Sequence, residues 1–239
     1  MRTLIPEFLV QRLIAAILVL LITAGGVEAA LLFESQERYV DALAVAGPNQ
    51  DHQFFSASGF DPFDATADAR ATGVQSPSPA RSRAIASQQS SIALGDFSAS
   101  ARTIIVECRA GSPGPEREPA SASFNNLFNI VFSVTDTPQD FSLWISCRMY
   151  MVSLTNLDTE QSIVSFWEGD FGPETITLDP GRYELYAADE FSCVAPPDLL
   201  FGEYDLYYLD LHAIPEPGSI VLLGLGAMGL LACGWRRMK

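Results

Sequence analysis

Two stretches of strict two-residue alternation constrain this chain more than any other feature. Phe128, Ile130, Phe132 and Val134 alternate with Asn129, Val131 and Ser133. Phe141, Leu143, Ile145, Cys147, Met149 and Met151 alternate with Ser142, Trp144, Ser146, Arg148 and Tyr150. Successive side chains of a strand point to opposite faces, so each run buries one face; a helix would scatter the same residues around its circumference. Thr137-Pro-Gln-Asp140 between the runs has turn chemistry and predicts an antiparallel pair. Ile104, Val106 and Cys108 form an earlier inward row, and Val164, Phe166 and Trp167 lie in a less one-sided strand. Ile176 and Leu178 lead into Asp179-Pro-Gly181, where Pro presets one turn position and Gly permits a positive φ at the next. Tyr183, Leu185 and Ala187 restart an inward row, and the last strand sets Leu206, Tyr208 and Asp210 against Tyr207, Leu209 and Leu211. Many short strands separated by Gly/Pro turns predict an all-β, two-sheet antiparallel β-sandwich, jelly-roll-like in architecture. Glu34 to Val45 is expected to make a short helix around Tyr39 and Leu43. Residues 66–90, with Ser76-Pro-Ser-Pro79, are expected to be flexible or weakly structured, and Gly111 to Ala120 an exposed loop.

Both ends of the chain differ from this middle. Arg2 and Arg12 precede the apolar run Leu13 to Ile22, and Val27 and Ala29 occupy the −3 and −1 positions for signal-peptidase cleavage before Ala30. A run this short with such an exit predicts a signal peptide over 1–29; a retained N-terminal anchor is the alternative. No Cys precedes Cys108, so there is no lipobox. At the other end, Ile214-Pro215-Glu216-Pro217 is followed by an uncharged Gly/Leu-rich run, Ile220 to Trp235, and then by Arg236, Arg237 and Lys239. As a helix, 220–235 would span roughly 24 Å, slightly short of a ~30 Å hydrocarbon core. The terminal cations would stay cytoplasmic under the positive-inside rule, which agrees with export of everything before them.

The Pro-Glu-Pro triplet, the short Gly/Leu-rich span and the terminal Arg cluster resemble the PEP-CTERM sorting signal of Gram-negative bacteria. The resemblance covers residues 214–239 and implies recognition by exosortase, a membrane-embedded cysteine protease. It implies removal of the tail, an inner-membrane intermediate, and delivery to the surface or matrix of a cell that makes extracellular polysaccharide. An ordinary single-pass anchor is the alternative. Phe60-Asp-Pro-Phe63-Asp64, Ser87-Gln-Gln-Ser90-Ser91 and Leu178-Asp-Pro-Gly181-Arg-Tyr183-x-Leu185 are similar to features of uncharacterised PEP-CTERM ectodomains, taken as β-sandwiches without an assigned activity.

Residues 30–213 would then be the exported domain. With the tail's Pro-Glu-Pro included, residues 30–217 hold 9 basic and 27 acidic side chains, a net charge of −18, and the only lysine of the chain is Lys239. Such a surface argues against nucleic acid, which needs clustered cations. Enzyme chemistry has little to draw on. His52 and His212 are the only histidines, no lysine is available for a Ser-Lys pair, and the Cys and His spacing fits no zinc site. Paired carboxylates at Glu168/Asp170 and Asp189/Glu190 could face a glycosidic bond, which leaves a glycan-active enzyme as the lesser alternative, but with 27 acids chance pairs are expected. The expectation is a non-enzymatic, surface or matrix protein without a cofactor. Asp61, Asp64 and Asp68 are a weak calcium candidate, lacking EF-hand spacing.

An alternative function is carbohydrate binding. Trp144 and Tyr150 lie on the strand face opposite the apolar row, with Arg148 between them; exposed, they could stack on sugar rings. The opposing expectation is that a loop covers this face. Export places the chain in an oxidising compartment. Of Cys108, Cys147 and Cys193, the first two share the inward phase, which favours a Cys108–Cys147 disulfide and leaves Cys193 as a free thiol in a loop; two buried unpaired cysteines are the alternative.

Overall fold

The computed structural model describes residues 31–74, 78–93, 96–111, 118–148, 151–195 and 203–214. The signal peptide with Val27, Ala29 and Ala30, and the tail with Pro215, Glu216, Pro217, Arg236 and Arg237, lie outside the described residues. Within them every regular element is a strand, and no helix is long and apolar enough to cross a membrane.

Twelve strands form two six-stranded antiparallel sheets packed as a sandwich. The first sheet contains β1 (Leu31–Ala46), β2 (Asn49–Ser56), β6 (Ala120–Val134), β8 (Met151–Asn156), β9 (Gln161–Phe166) and β11 (Gly181–Val194), in the order β2-β1-β6-β11-β8-β9. The second contains β3 (Phe63–Thr72), β4 (Arg81–Ala93), β5 (Asp96–Arg109), β7 (Gln139–Cys147), β10 (Gly169–Leu178) and β12 (Glu203–Ala213), in the order β10-β7-β12-β5-β4-β3.

The alternating runs face inward as their period requires. Phe128, Ile130, Phe132, Phe141, Leu143, Ile145, Tyr183, Leu185, Leu209 and Leu211 are all buried. Their pairing differs from the expected hairpin. β6 and β7 belong to different sheets, and Thr137–Asp140 turns the corner between them. The expected continuous strand 141–151 is likewise two: β7 ends at Cys147 in the second sheet, and Met151 opens β8 in the first. Periodicity determines which face is buried; it carries no information on which strand lies alongside.

Four further expectations are corrected. Glu34–Val45 is part of the 16-residue strand β1, not a helix. Its alanines are inward small residues, Ala42 and Ala44 among them, alternating with Asp41, Leu43 and Val45 outside. Helix propensity of Ala is a weak preference that sheet packing overrides. The segment 66–90 contributes to two paired strands, β3 and β4, with Ala67, Ala69, Ala84 and Ala86 fully buried. In β5 a bulge changes the phase: Glu107 faces Arg83 and Ile105 faces Ala84, so Val106 is the extra residue. Ile105 and Cys108 therefore point inward while Val106 is 38% exposed. Gly181 is not among the positive-φ glycines; a Cβ there would sit 3.1 Å from the Asp158 carboxylate, which accepts the Arg182 N–H at 2.9 Å. Close approach, not φ, calls for glycine at that corner.

The core has two unlike halves. One is built from Phe97, Phe128, Phe132, Phe141 and Tyr183 with Leu and Ile neighbours. The other is mostly alanine, with Val40, Ile105, Cys108, Phe124 and Cys193. Side chains one or two bonds long reach the opposite sheet in the alanine half: the Ser82 hydroxyl donates to the Ser121 carbonyl, and the Cys108 thiol lies 3.6 Å from the Ala120 carbonyl. Some Cα atoms of β4 and β5 come within 8 Å of β6, closer than the ~10 Å usual between stacked sheets.

One side of the sandwich is closed by side chains. On β2 the alternate residues Asn49, Asp51 and Gln53 bond to the β3 backbone: Asn49 donates to the Thr72 carbonyl at 2.7 Å, Asp51 accepts from Arg70 N at 2.8 Å, and the Gln53 amide bonds both N–H and C=O of Asp68. The free edge of β3, which would otherwise offer a pairing template, is occupied by its own chain. On the outer face of β3 and β4, Arg70 and Arg83 face each other in register, and Asp68 bridges them through hydrogen-bonded ion pairs with both.

The two guanidinium groups, Arg83 first, hold the Asp68 carboxyl well below the usual carboxylate range. Its contribution is therefore present above the unfolded pKa near ~3.9 and is lost as pH falls below it. Asp68→Asn should lower stability by about 1 kcal/mol at pH 7, since the pair is partly solvent-screened. Denaturant titrations of both proteins should show this gap closing toward pH 2, and an unchanged gap across that window would refute the electrostatic assignment.

Candidate functional site: the outer face of the second sheet

The pleat that buries Leu143 and Ile145 on β7 turns Trp144 outward, and the pleat that buries Tyr207 and Leu209 on β12 turns Tyr208 outward. β7 and β12 are neighbours with Trp144 opposite Asp210 and Ser146 opposite Tyr208, which places the two rings on a diagonal. Their centroids are 4.7 Å apart at an interplanar angle of 51°. Trp144 is 41% exposed and Tyr208 37%, so among the described residues no loop covers them.

Beside this pair the outer face continues across β5, β4 and β3 with short polar side chains. A hollow of about 510 Å³ is lined by Tyr208, Ser146, Ser100, Arg102, Ser87 and Asp64 among others. A second, of about 330 Å³, shares Tyr208, Ser100, Gln89 and Asp64 with it and extends to Phe63 and Ser98. The two form one groove with an aromatic wall at β7/β12 and a floor of hydroxyls and amides. Gln89 donates to the Asp64 carboxylate at 3.0 Å, which orients that acid at the far wall. Burial, with Asp210 beside it, raises the Tyr208 phenol above its ordinary value, so the hydroxyl stays protonated and can donate a hydrogen bond at neutral pH.

Of the expected ligand face, Trp144 is exposed within this surface, Arg148 is exposed just past the end of β7, and Tyr150 lies outside the described residues. Tyr208 was the partner that sequence reasoning missed. Its signal was present in the alternation of β12, but the adjacency of β12 to β7 follows from sheet order, which the alternation does not report.

The other expected sites are dispersed. Asp68 is taken up by Arg70 and Arg83, Asp64 accepts from Gln89, and among the described residues Asp61, Asp64 and Asp68 do not bring their carboxylates together. Asp189 is buried and accepts the Thr103 hydroxyl at 2.6 Å, whereas Glu190 is exposed on the opposite face of β11. Glu168 and Asp170 are both exposed around the start of β10. His52 pairs with Asp41 at 2.7 Å. His212 lies between two carboxylates, Asp96 at 2.9 Å and Asp210 at 2.8 Å, and the ligand atoms of these three residues fall within 4.8 Å of one another.

The cysteines do not meet as expected. Cys147 belongs to the aromatic half of the core, in register with Tyr207 and Gly169. Cys108 belongs to the alanine half, where its thiol lies 3.8 Å from the Cys193 carbonyl and hydrogen-bonds the Cys193 side chain. The bulge at Val106 is what redirects Cys108.

The described fold ends where β12 leaves the sheet. Ile214 N–H donates to the Asp140 carbonyl at 2.8 Å, and the Gln139 amide donates to the Ile214 carbonyl at 2.9 Å. Pro215-Glu-Pro217 follows directly. No curated protein and no solved structure matches the chain. Residues 213–237 match the family model described as the PEP-CTERM protein-sorting motif. That motif, beginning in the last residues of a two-sheet β-sandwich, makes this a PEP-CTERM motif-bearing protein, targeted for export with exosortase as its processing partner.

Proposed function

We propose that the protein is a non-enzymatic component of the cell surface or extracellular matrix, and that its sandwich acts there by holding a neutral polysaccharide in the outer groove of the second sheet. The observation that carries this reading is the exposed Trp144–Tyr208 pair at the groove wall. Sugar rings present C–H faces that stack on aromatic planes and hydroxyls that bond to short polar side chains; the groove supplies both. The acidity of the domain disfavours an anionic polymer, since like charges repel at close range. Few convergent charges line the groove, which suits recognition without covalent chemistry.

Processing would proceed at both ends. A signal peptidase would release the chain at Ala30, the 220–235 span would hold it in the inner membrane, and exosortase would act at the Pro215-Glu-Pro217 motif. Because Gln139 and Asp140 hold Ile214 to the sheet, the folded domain would stand immediately beside the processing site.

Intact mass of the surface-exposed protein from an exosortase-bearing cell should correspond to a chain from about Ala30 to about Pro217. Glu216→Ala should accumulate precursor in the inner membrane, and recovery of peptides containing Arg236 from the surface form would contradict sorting. For the groove, affinity electrophoresis against neutral polysaccharides should show weak, nearly salt-independent retardation. Trp144→Ala should weaken it about fivefold with the unfolding midpoint unchanged, a stacked ring being worth about 1 kcal/mol. Retardation that survives this substitution would sink the groove assignment, and retardation that disappears with salt would point to a charged ligand instead.

A further inference from the structure

Cys108 and Cys193 stand on opposite sheets, β5 and β11, and point at each other across the alanine half of the core. Both are buried, at 0% and 8% exposure. Two features of the fold bring them together. The bulge at Val106 turns Cys108 inward, and the small residues around the pair, Ala110, Ala120, Ala122 and Ala195, let the sheets approach. A neighbouring bond holds that approach: Thr103 on β5 donates to Asp189 on β11 at 2.6 Å across the sheets, while Ala195 N–H donates to the Ala120 carbonyl at 3.0 Å and continues the β11–β6 pairing past Val194.

We propose that Cys108 and Cys193 form an inter-sheet disulfide in the exported protein. This rests on the export that the sorting motif implies, because a stable protein disulfide needs an oxidising compartment. The chemistry is thiol–disulfide exchange with an oxidant of the export compartment that carries a reactive disulfide. One thiolate attacks the oxidant's disulfide to give a mixed disulfide, and the second displaces the oxidant. Two protons and two electrons leave the cysteine pair, the S–S bond forms, and the oxidant departs as a dithiol. In the folded core the hydrogen bond from Cys193 holds the Cys108 thiol below its ordinary value. The link would join residues 85 apart in sequence and tie β5 to β11, so it would constrain the unfolded chain strongly. Cys147, in the other half of the core, takes no part.

The test is performed on the full chain exported by its own signal, with thiols alkylated before lysis and peptides mapped without reduction. The expected result is a Cys108–Cys193 linked peptide that separates on reduction, together with alkylated Cys147. Linkage of either residue to Cys147, or alkylation of Cys108 and Cys193 in most of the protein, would overturn the assignment. In Cys147→Ser the redox-dependent shift in gel mobility and the lower denaturation midpoint on reduction should persist, and in Cys193→Ala both should vanish. Folded protein made without a signal peptide should be reduced in the cytoplasm and should form the same link when treated with oxidised dithiothreitol. A link formed only in that treatment would support the pairing and count against export; no link in either case would reject the pairing itself.

Discussion

The structure depends on one requirement: two six-stranded sheets must share an interface although their inner faces carry residues of very different size. Phenylalanine and tyrosine fill one half and alanine the other. Between them runs a band of buried polar groups. Gln88 donates to the Tyr207 hydroxyl at 3.1 Å and to the Leu127 carbonyl at 3.2 Å, Tyr207 donates to Asn126 at 3.2 Å, and Asn126 donates to the Ser87 carbonyl at 3.0 Å. The first link joins β4 to β12 within the second sheet and the other three span the two sheets, so the band sets their separation where the bulky half gives way to the small one. Burial pushes the Tyr207 phenol far above its ordinary value, which keeps its proton available as a donor. Leaving any of these groups unpaired would cost about 1–3 kcal/mol, so the band also fixes register. Arg38 closes it at one end: its buried guanidinium bonds Gln36, Ser90 and the carbonyls of Gly59 and Asp61, which pins the connection from β2 to β3.

Several consequences follow from that spacing. The alanine half brings Cys108 to Cys193 and Ser82 to the β6 backbone. At the side where β2 and β3 meet, Asn49, Asp51 and Gln53 can reach across and satisfy an edge that would otherwise stay open. The outer faces are then free for other uses. Along the groove of the second sheet most outward residues are short and polar beside the Trp144–Tyr208 pair, and this contrast marks the face proposed above as a binding surface.

Much of this was legible in the sequence, and the failures have physical causes. Inward phase was read correctly for Phe128–Val134, Phe141–Cys147 and Tyr183–Ala187 because a buried face imposes strict alternation. Strand pairing was not, because the Thr137–Asp140 turn joins strands of different sheets and a corner uses the same residue types as a hairpin. The alanine-rich strands β1, β3 and β4 were hidden, since alanine carries little hydrophobic contrast and favours helix when judged locally. The Cys108–Cys147 expectation failed for a related reason: both thiols do point inward, but strand order puts them in different halves of the core, and strand order leaves no periodic trace. The sorting tail was legible because its recognition lies in linear order, triplet, span and cations, independent of the fold.

The central proposal is that the aromatic wall of the groove holds a neutral polysaccharide. Hydroxyl-radical footprinting of the mature protein, with and without the neutral polysaccharide that retards it, tests that claim residue by residue. Trp167, 65% exposed between β9 and β10, and Phe54 and Phe55 on β2 all lie outside the groove lining and serve as internal references. The account predicts that Trp144 and Tyr208 become protected while Trp167, Phe54 and Phe55 keep their reactivity. Protection at Trp167 or at the β2 phenylalanines, with Trp144 unchanged, would contradict it.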